Sequence, residues 1–197
     1  SLAAAVLDAD AGENLELQAD IAIPETVIID KELTLDLNGK VATVPAGVTA
    51  LNVTSTAGDL TIDDLSTGGL GEITGGNISV YVNAGAAFTL EGGSLTDALY
   101  GVYVAGAGSS VTVNDGVIDS EYFAISGNGS AGLGGTSITI TGGDLISAYT
   151  GIYLPQAGTV EISGGTITAH TGIEIRSGSL NITGGEITAT GAYLPDP

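Results

Sequence analysis

Apolar residues stand two apart in a phrase that keeps returning along the chain. Val160-Glu161-Ile162 precedes Ser163-Gly164-Gly165, Leu180-Asn181-Ile182 precedes Thr183-Gly184-Gly185, and Ile138-Thr139-Ile140 precedes Thr141-Gly142-Gly143. Looser copies are Leu33-Thr34-Leu35, Leu60-Thr61-Ile62, Phe88-Thr89-Leu90 and Val111-Thr112-Val113. The copies begin at 33, 60, 88, 111, 138, 160 and 180, so their spacing runs from 20 to 28 residues. A strand turns successive side chains to opposite faces, which puts Val160 and Ile162 on one side and Glu161 on the other. A strand this short cannot bury its apolar side alone. Copies stacked at ~4.8 Å make one continuous apolar column, and a repeat of this length decides the architecture.

A second column supports the same register. Val80-Tyr81-Val82, Val102-Tyr103-Val104, Ile152-Tyr153-Leu154, Ile173-Glu174-Ile175 and Ala192-Tyr193-Leu194 alternate in the same way, with Ala124-Ile125-Ser126 filling the missing place. A third short strand follows the glycines, as in Leu95-Thr96, Ile118-Asp119, Leu145-Ile146, Ile167-Thr168 and Ile187-Thr188. Three strands per turn predict an all-β, single-stranded parallel β-helix of about seven turns. The apolar period is 2 and not 3.6, which excludes helices. A propeller blade needs roughly 40 residues. An antiparallel sandwich would not need a glycine corner in every turn.

The ends and insertions read differently. Residues 1–14 predict a cap, with Leu2, Val6 and Leu7 on one face of a short helix over the open first turn. The solenoid is expected from 15 to 197. One strand is expected to run from Glu13 to Ile23, ended by Pro24. The glycine-rich stretches Leu65–Gly76 and Gly127–Gly135 are expected as loops able to carry binding residues. Gly191-Ala192-Tyr193-Leu194-Pro195 repeats the opening of the turn at Gly151-Ile152-Tyr153-Leu154-Pro155, so the last turn reads as incomplete, to be continued by more chain or by a neighbour.

Leu33-Thr34-Leu35-Asp36-Leu37-Asn38-Gly39-Lys40 and the stretch from Gly172 to Gly185 carry a resemblance. They resemble the opening and late turns of the pectate-lyase-like family of parallel β-helices, and more narrowly the repeat regions of bacterial and phage surface proteins. The resemblance covers about residues 15–194. It implies a right-handed coil, in line with the handedness of parallel crossovers. It implies no one activity, because this fold carries lyases, hydrolases, adhesins and fibres.

Charge sharpens the functional expectation. Three Lys and Arg stand against 23 Asp and Glu, a net charge of −20. Lys31, Lys40 and Arg176 cannot form the basic surface that nucleic acid needs. No apolar run approaches the ~20 residues of a membrane helix, so no membrane insertion is expected. Cysteine is absent, so disulfides and zinc–thiolate sites are excluded.

Three kinds of candidate chemistry remain. Tyr81, Tyr103, Tyr153 and Tyr193, with Glu174 in the same place of one turn, form an outward row. Rings there can stack on sugar faces while acids bond hydroxyls; equally, they can simply shield the sheet. Tyr122, Tyr149 and His170 should stack at the corner of successive turns. Asp59, Asp63 and Asp64, and Asp115, Asp119 and Glu121, are two carboxylate groups that calcium could use, although no EF-hand or nonapeptide pattern accompanies them. Catalysis is not expected. Arg176 is the only arginine, Asp63-Asp64 the only adjacent acid pair, and no Ser or Cys partner for His170 is evident. The expectation is a non-enzymatic extracellular, cell-surface or virion-surface β-helix. It would be a stalk, fibre or adhesive face that binds glycans or another cell-surface ligand, with no cofactor beyond possible calcium. The alternative is a filament or virion subunit that self-associates end to end. A polysaccharide lyase or hydrolase ranks below both.

Overall fold

In the computed structural model, residues 1–130 and 133–191 are described. The chain is a parallel β-solenoid of about eight turns with one short N-terminal helix. The recurring phrase forms an eight-stranded parallel sheet. Glu13–Glu16, Glu32–Asp36, Asp59–Asp63, Ala87–Leu90, Ser110–Val113, Thr136–Ile140, Gly158–Ile162 and Ser179–Ile182 follow one another across it. Leu33 lies against Leu60, Leu60 against Phe88, Phe88 against Val111, Val111 against Ile138, Ile138 against Val160 and Val160 against Leu180. Ile140, Ile162 and Ile182 continue the second apolar row. The stack gains its extra turn because Glu13–Glu16 pairs with Leu33–Asp36 below the first expected copy.

The glycine pair turns the corner, and each glycine has its own reason. Gly165 has φ +75°, and a Cβ there would come 2.6 Å from the Gly142 carbonyl oxygen of the turn beneath. Gly164 has an ordinary backbone, but a Cβ would overlap the Thr141 carbonyl oxygen. Thr166 N–H then donates to the Gly143 carbonyl at 2.9 Å, so the ladder passes the corner unbroken.

After the corner the chain enters a second parallel sheet, of eleven strands in all. In early turns it contains separate pieces such as Val41–Val44 and Thr49–Val53, or Glu72–Gly75 and Ile78–Val82. From Ser94–Val104 onward the two pieces merge. Val117–Gly127, Asp144–Leu154 and Thr166–Ile175 each run through the bend as one strand. The expected three strands per turn thus hold only for the early part. Inward residues of both sheets, among them Ile62, Leu90, Val113, Ile140, Ile125 and Ile152, fill a fully buried core.

Several expectations shift. The cap helix is Leu2–Asp8 with Ser1 as N-cap; Leu2 and Val6 are buried, but Leu7 is 78% exposed. Residues 2 and 6 lie one turn apart on a helix, whereas 7 is rotated ~100° away from 6. Lys31 Nζ donates to the carbonyls of Val6 and Ala9 at 3.1 and 2.8 Å and ties the helix end to the first turns. The boundary expected after residue 14 falls inside the first strand. The run from Glu13 to Ile23 is two strands, Glu13–Glu16 and Ile21–Ala22, in different sheets. The loop expected over Leu65–Gly76 stops earlier, since Glu72–Gly75 pairs with Val41–Val44 on one side and with Ser94–Thr96 on the other. Of the stretch 127–135, Gly127 belongs to a strand, and 131–132 lie outside the described residues.

Candidate functional site: an aromatic ladder beside an acidic groove

Parallel stacking brings residues some twenty places apart in sequence to neighbouring positions in space. Tyr103 lies directly beside Tyr81 on adjacent strands, and their rings are 5.6 Å apart. Tyr153 lies beside Glu174. The place between Tyr103 and Tyr153 is where the sequence reading slips. Ile125, not Ala124, aligns with Val102 and Ile152, so Ser126 takes the tyrosine position and is buried. The pairing slips by one residue between Thr96 and Ala98 and slips back between Ala98 and Tyr100, so Val102 meets Ile125 with the same offset that pairs Thr96 with Asp119. Aligning Ala124 with Val102 assumes an offset one residue shorter, and an error of one residue exchanges inward and outward faces.

Phe123 stands half-buried in register with Tyr100. The two rings stack at 5.7 Å. Tyr100 meets Tyr103 edge-on at 5.8 Å, and Phe123 stacks on Tyr153 at 5.3 Å. Tyr100 also stacks on Tyr122 at 6.2 Å, and Tyr122 on Tyr149 at 4.8 Å. The strand row and the corner row, expected as separate sets, are therefore joined through Tyr100 and Phe123. Sequence reasoning passed over both. The available signal was their common place just before a small residue that is buried at the bend, Gly101 in one turn and Ala124 in the next. All these rings are half-buried, with edges or faces open. Burial, and then the phenols of Tyr81, Tyr100 and Tyr153, push the Tyr103 hydroxyl above its ordinary pKa.

Arg176 closes one end of the ladder. Its Cζ lies 5.3 Å from the Tyr153 ring centre, and its Nε donates to Glu174 Oε1 at 2.8 Å. The Glu174 hydrogen bond chiefly, then the Tyr153 and Glu174 charges, hold the guanidinium above its ordinary value. His170 Nδ1 lies 3.2 Å from Thr171 Oγ1. Tyr193 lies outside the described residues. Tyr81, Tyr103, Tyr153 and Glu174 do share one flank, as their spacing predicts.

The expected carboxylate groups separate. Asp59 opens the strand Asp59–Asp63 and Asp63 closes it. Among the described residues, no group of three or more acids and histidines is placed to hold a metal ion. Asp64 serves the backbone instead. Its Oδ2 accepts from Gly71 N–H at 2.6 Å, and its Oδ1 accepts from Gly39 N–H at 2.8 Å and Ser66 N–H at 3.2 Å. Burial alone would raise this carboxyl, but the Gly71 N–H, the Ser66 hydroxyl and the Gly39 and Ser66 N–H groups outweigh it and leave the pKa lowered. Asp115 belongs to the glycine corner, where its Oδ1 accepts from Gly116 N–H at 2.8 Å. Asp119 and Glu121 stand elsewhere, facing outward on Val117–Gly127.

Asp119 and Glu121 line a groove of about 340 Å³ with Asp97, Ser120, Ile146, Ser147 and Ala148. Burial, then the charge of Asp97, pushes the Asp119 carboxyl up. Glu121 and Ala148 immediately precede Tyr122 and Tyr149, so the groove adjoins the corner rings. The arrangement couples ring faces to a strip of hydrogen-bond acceptors. Compared with protein-family models, with curated protein sequences and with solved structures, the chain matches none.

Proposed function

We propose that this protein is a non-enzymatic display module whose aromatic ladder binds glycans at a cell or virion surface. The carrying observation is the continuous run of half-exposed rings from Tyr81 to Tyr153, with a branch to Tyr149. Sugar rings present flat C–H faces that stack on aromatic faces, while their hydroxyls need acceptors at the edge. The groove supplies acceptors in Asp97, Asp119 and Glu121. A rigid solenoid suits such a task, because stacked strands fix ring spacing before the ligand arrives and little ordering remains to be done on binding. Kinship with the right-handed surface β-helices that the sequence resembles belongs to the same proposal. So does display rather than catalysis. It is supported by the one arginine being engaged with Glu174 and Tyr153.

The test is a glycan array followed by calorimetry on the hits. Tyr103→Ala and Tyr149→Ala should each weaken binding about fivefold or more, since loss of a stacking ring removes ~1 kcal/mol. An array with no hits, or hits untouched by both substitutions, would sink the reading. An absorbance assay on pectin with calcium checks the lyase alternative, for which no product is expected.

A second reading, end-to-end self-association, has one observation in its favour. Leu180 and Ile182 continue the core rows but are 40% and 47% exposed, and Ile187 is exposed beside them. Sedimentation at rising concentration separates the two readings; a monodisperse monomer removes the second.

A further inference from the structure

The groove beside the corner rings has a chemical bias of its own. Its charged walls are Asp97, Asp119 and Glu121, and no cationic side chain lines it. Asp97 sits at φ +56°, outside the usual range for a non-glycine residue, and its Oδ2 accepts from Thr74 Oγ1 at 3.1 Å. Ser120, 5% exposed, also lines the groove, and its hydroxyl has no hydrogen-bond partner. The ladder next to it already receives a cation at its far end, where Arg176 lies over Tyr153. Ring faces attract cations through their quadrupole, and carboxylates attract them directly.

We propose that this groove selects an amino-bearing, positively charged sugar over its neutral and acidic counterparts. The inference rests on the glycan-binding reading above and narrows it. An ammonium group set between Asp97 and Asp119 would relieve their mutual repulsion, which at present disfavours the charged form of Asp119. A uronate in the same place would meet three carboxylates and a molecule of net charge −20. A neutral sugar would gain hydrogen bonds and stacking alone.

The test compares four short probes by calorimetry just below neutral pH: a glucosamine trimer, its fully N-acetylated form, a galacturonate trimer and trilysine. The glucosamine trimer should bind about tenfold more tightly than the N-acetylated form, and the galacturonate trimer should be weakest. Asp97→Asn combined with Asp119→Asn should abolish that preference while the N-acetylated probe still binds. Asparagine tolerates the left-handed backbone at 97, which guards the fold. Asp8→Asn with Asp10→Asn, beside the N-terminal helix and several turns from the groove, removes the same charge and should leave the preference intact. Equal binding of the free and acetylated trimers overturns the inference and spares the glycan reading. Trilysine binding as tightly as the glucosamine trimer, or equal losses in the two double variants, overturns it as non-specific attraction. Failure of every oligosaccharide to bind overturns both.

Discussion

At the scale of single residues, the fold depends on a few positions that allow no substitute. Gly165 combines a positive φ with a carbonyl oxygen where a Cβ would stand. Gly165→Ala should lower stability by about 1–3 kcal/mol, read as a shift in urea midpoint at unchanged slope. Asp115, in place of the first glycine at its corner, shows that only the second position demands glycine throughout the regular turns; Gly116 beside it has φ +89°. Tyr103 is constrained differently. Its hydroxyl ionises later than a free phenol, because burial and three neighbouring phenols oppose the charge. A raised folded-state pKa means stability is fully present below the ordinary value of 10.0 and is lost as pH rises through the folded value. We expect a tyrosinate step above the ordinary range to disappear from an absorbance titration in Tyr103→Phe, and alkaline unfolding to move to higher pH. If the titration curves of the two proteins superimpose apart from one ordinary step, the ladder does not crowd Tyr103 as described.

At the scale of elements, each strand is marginal alone and is held by the turn above and the turn below. Ile140 has both neighbours, Val113 and Ile162, and is fully buried. Ile182 pairs with Ile162 and stays half exposed. Truncating a buried isoleucine to alanine removes ~2–5 kcal/mol, through lost transfer energy and the cavity left behind. Ile140→Ala should therefore fall in that range, and Ile182→Ala should lose less than half as much. Chemical denaturation of the two variants decides it; equal losses would mean that Ile182 is covered in solution. The bends matter as much as the strands. Where Ser94–Val104 and Val117–Gly127 bend together, Phe123 stands beside Tyr100 and Ser126 beside Tyr103, and the Tyr100 and Phe123 rings join two rows into one ladder.

At the scale of the whole molecule, a solenoid's stability is a sum over neighbouring turns, so its ends differ from its middle. One end is closed by Leu2–Asp8, whose Leu2 and Val6 are buried in the core. Toward the other, Ser179–Ile182 and Glu186–Ala189 are exposed along their whole length. Amide exchange should accordingly be fastest in those two strands, slowest around Thr136–Ile140, and slower at the helix-covered turns than at Ser179–Ile182. A uniform exchange rate along the chain would mean that the solenoid opens only as one unit. The sequence alone determined the recurring strands of the first sheet, their inward rows, the corner glycines and the pairing of Leu33 through Leu180. All of these follow from a period of two residues and a backbone corner that excludes side chains, both of which are local properties. The outward surface was legible only in part. Tyr81 and Tyr103 pair as their spacing predicts, but Tyr100, Phe123, the groove at Asp119 and the backbone role of Asp64 depended on tertiary structure. Their neighbours come from other turns, and at the bend the period of two is interrupted, so the stacking of the turns decides which side chains meet.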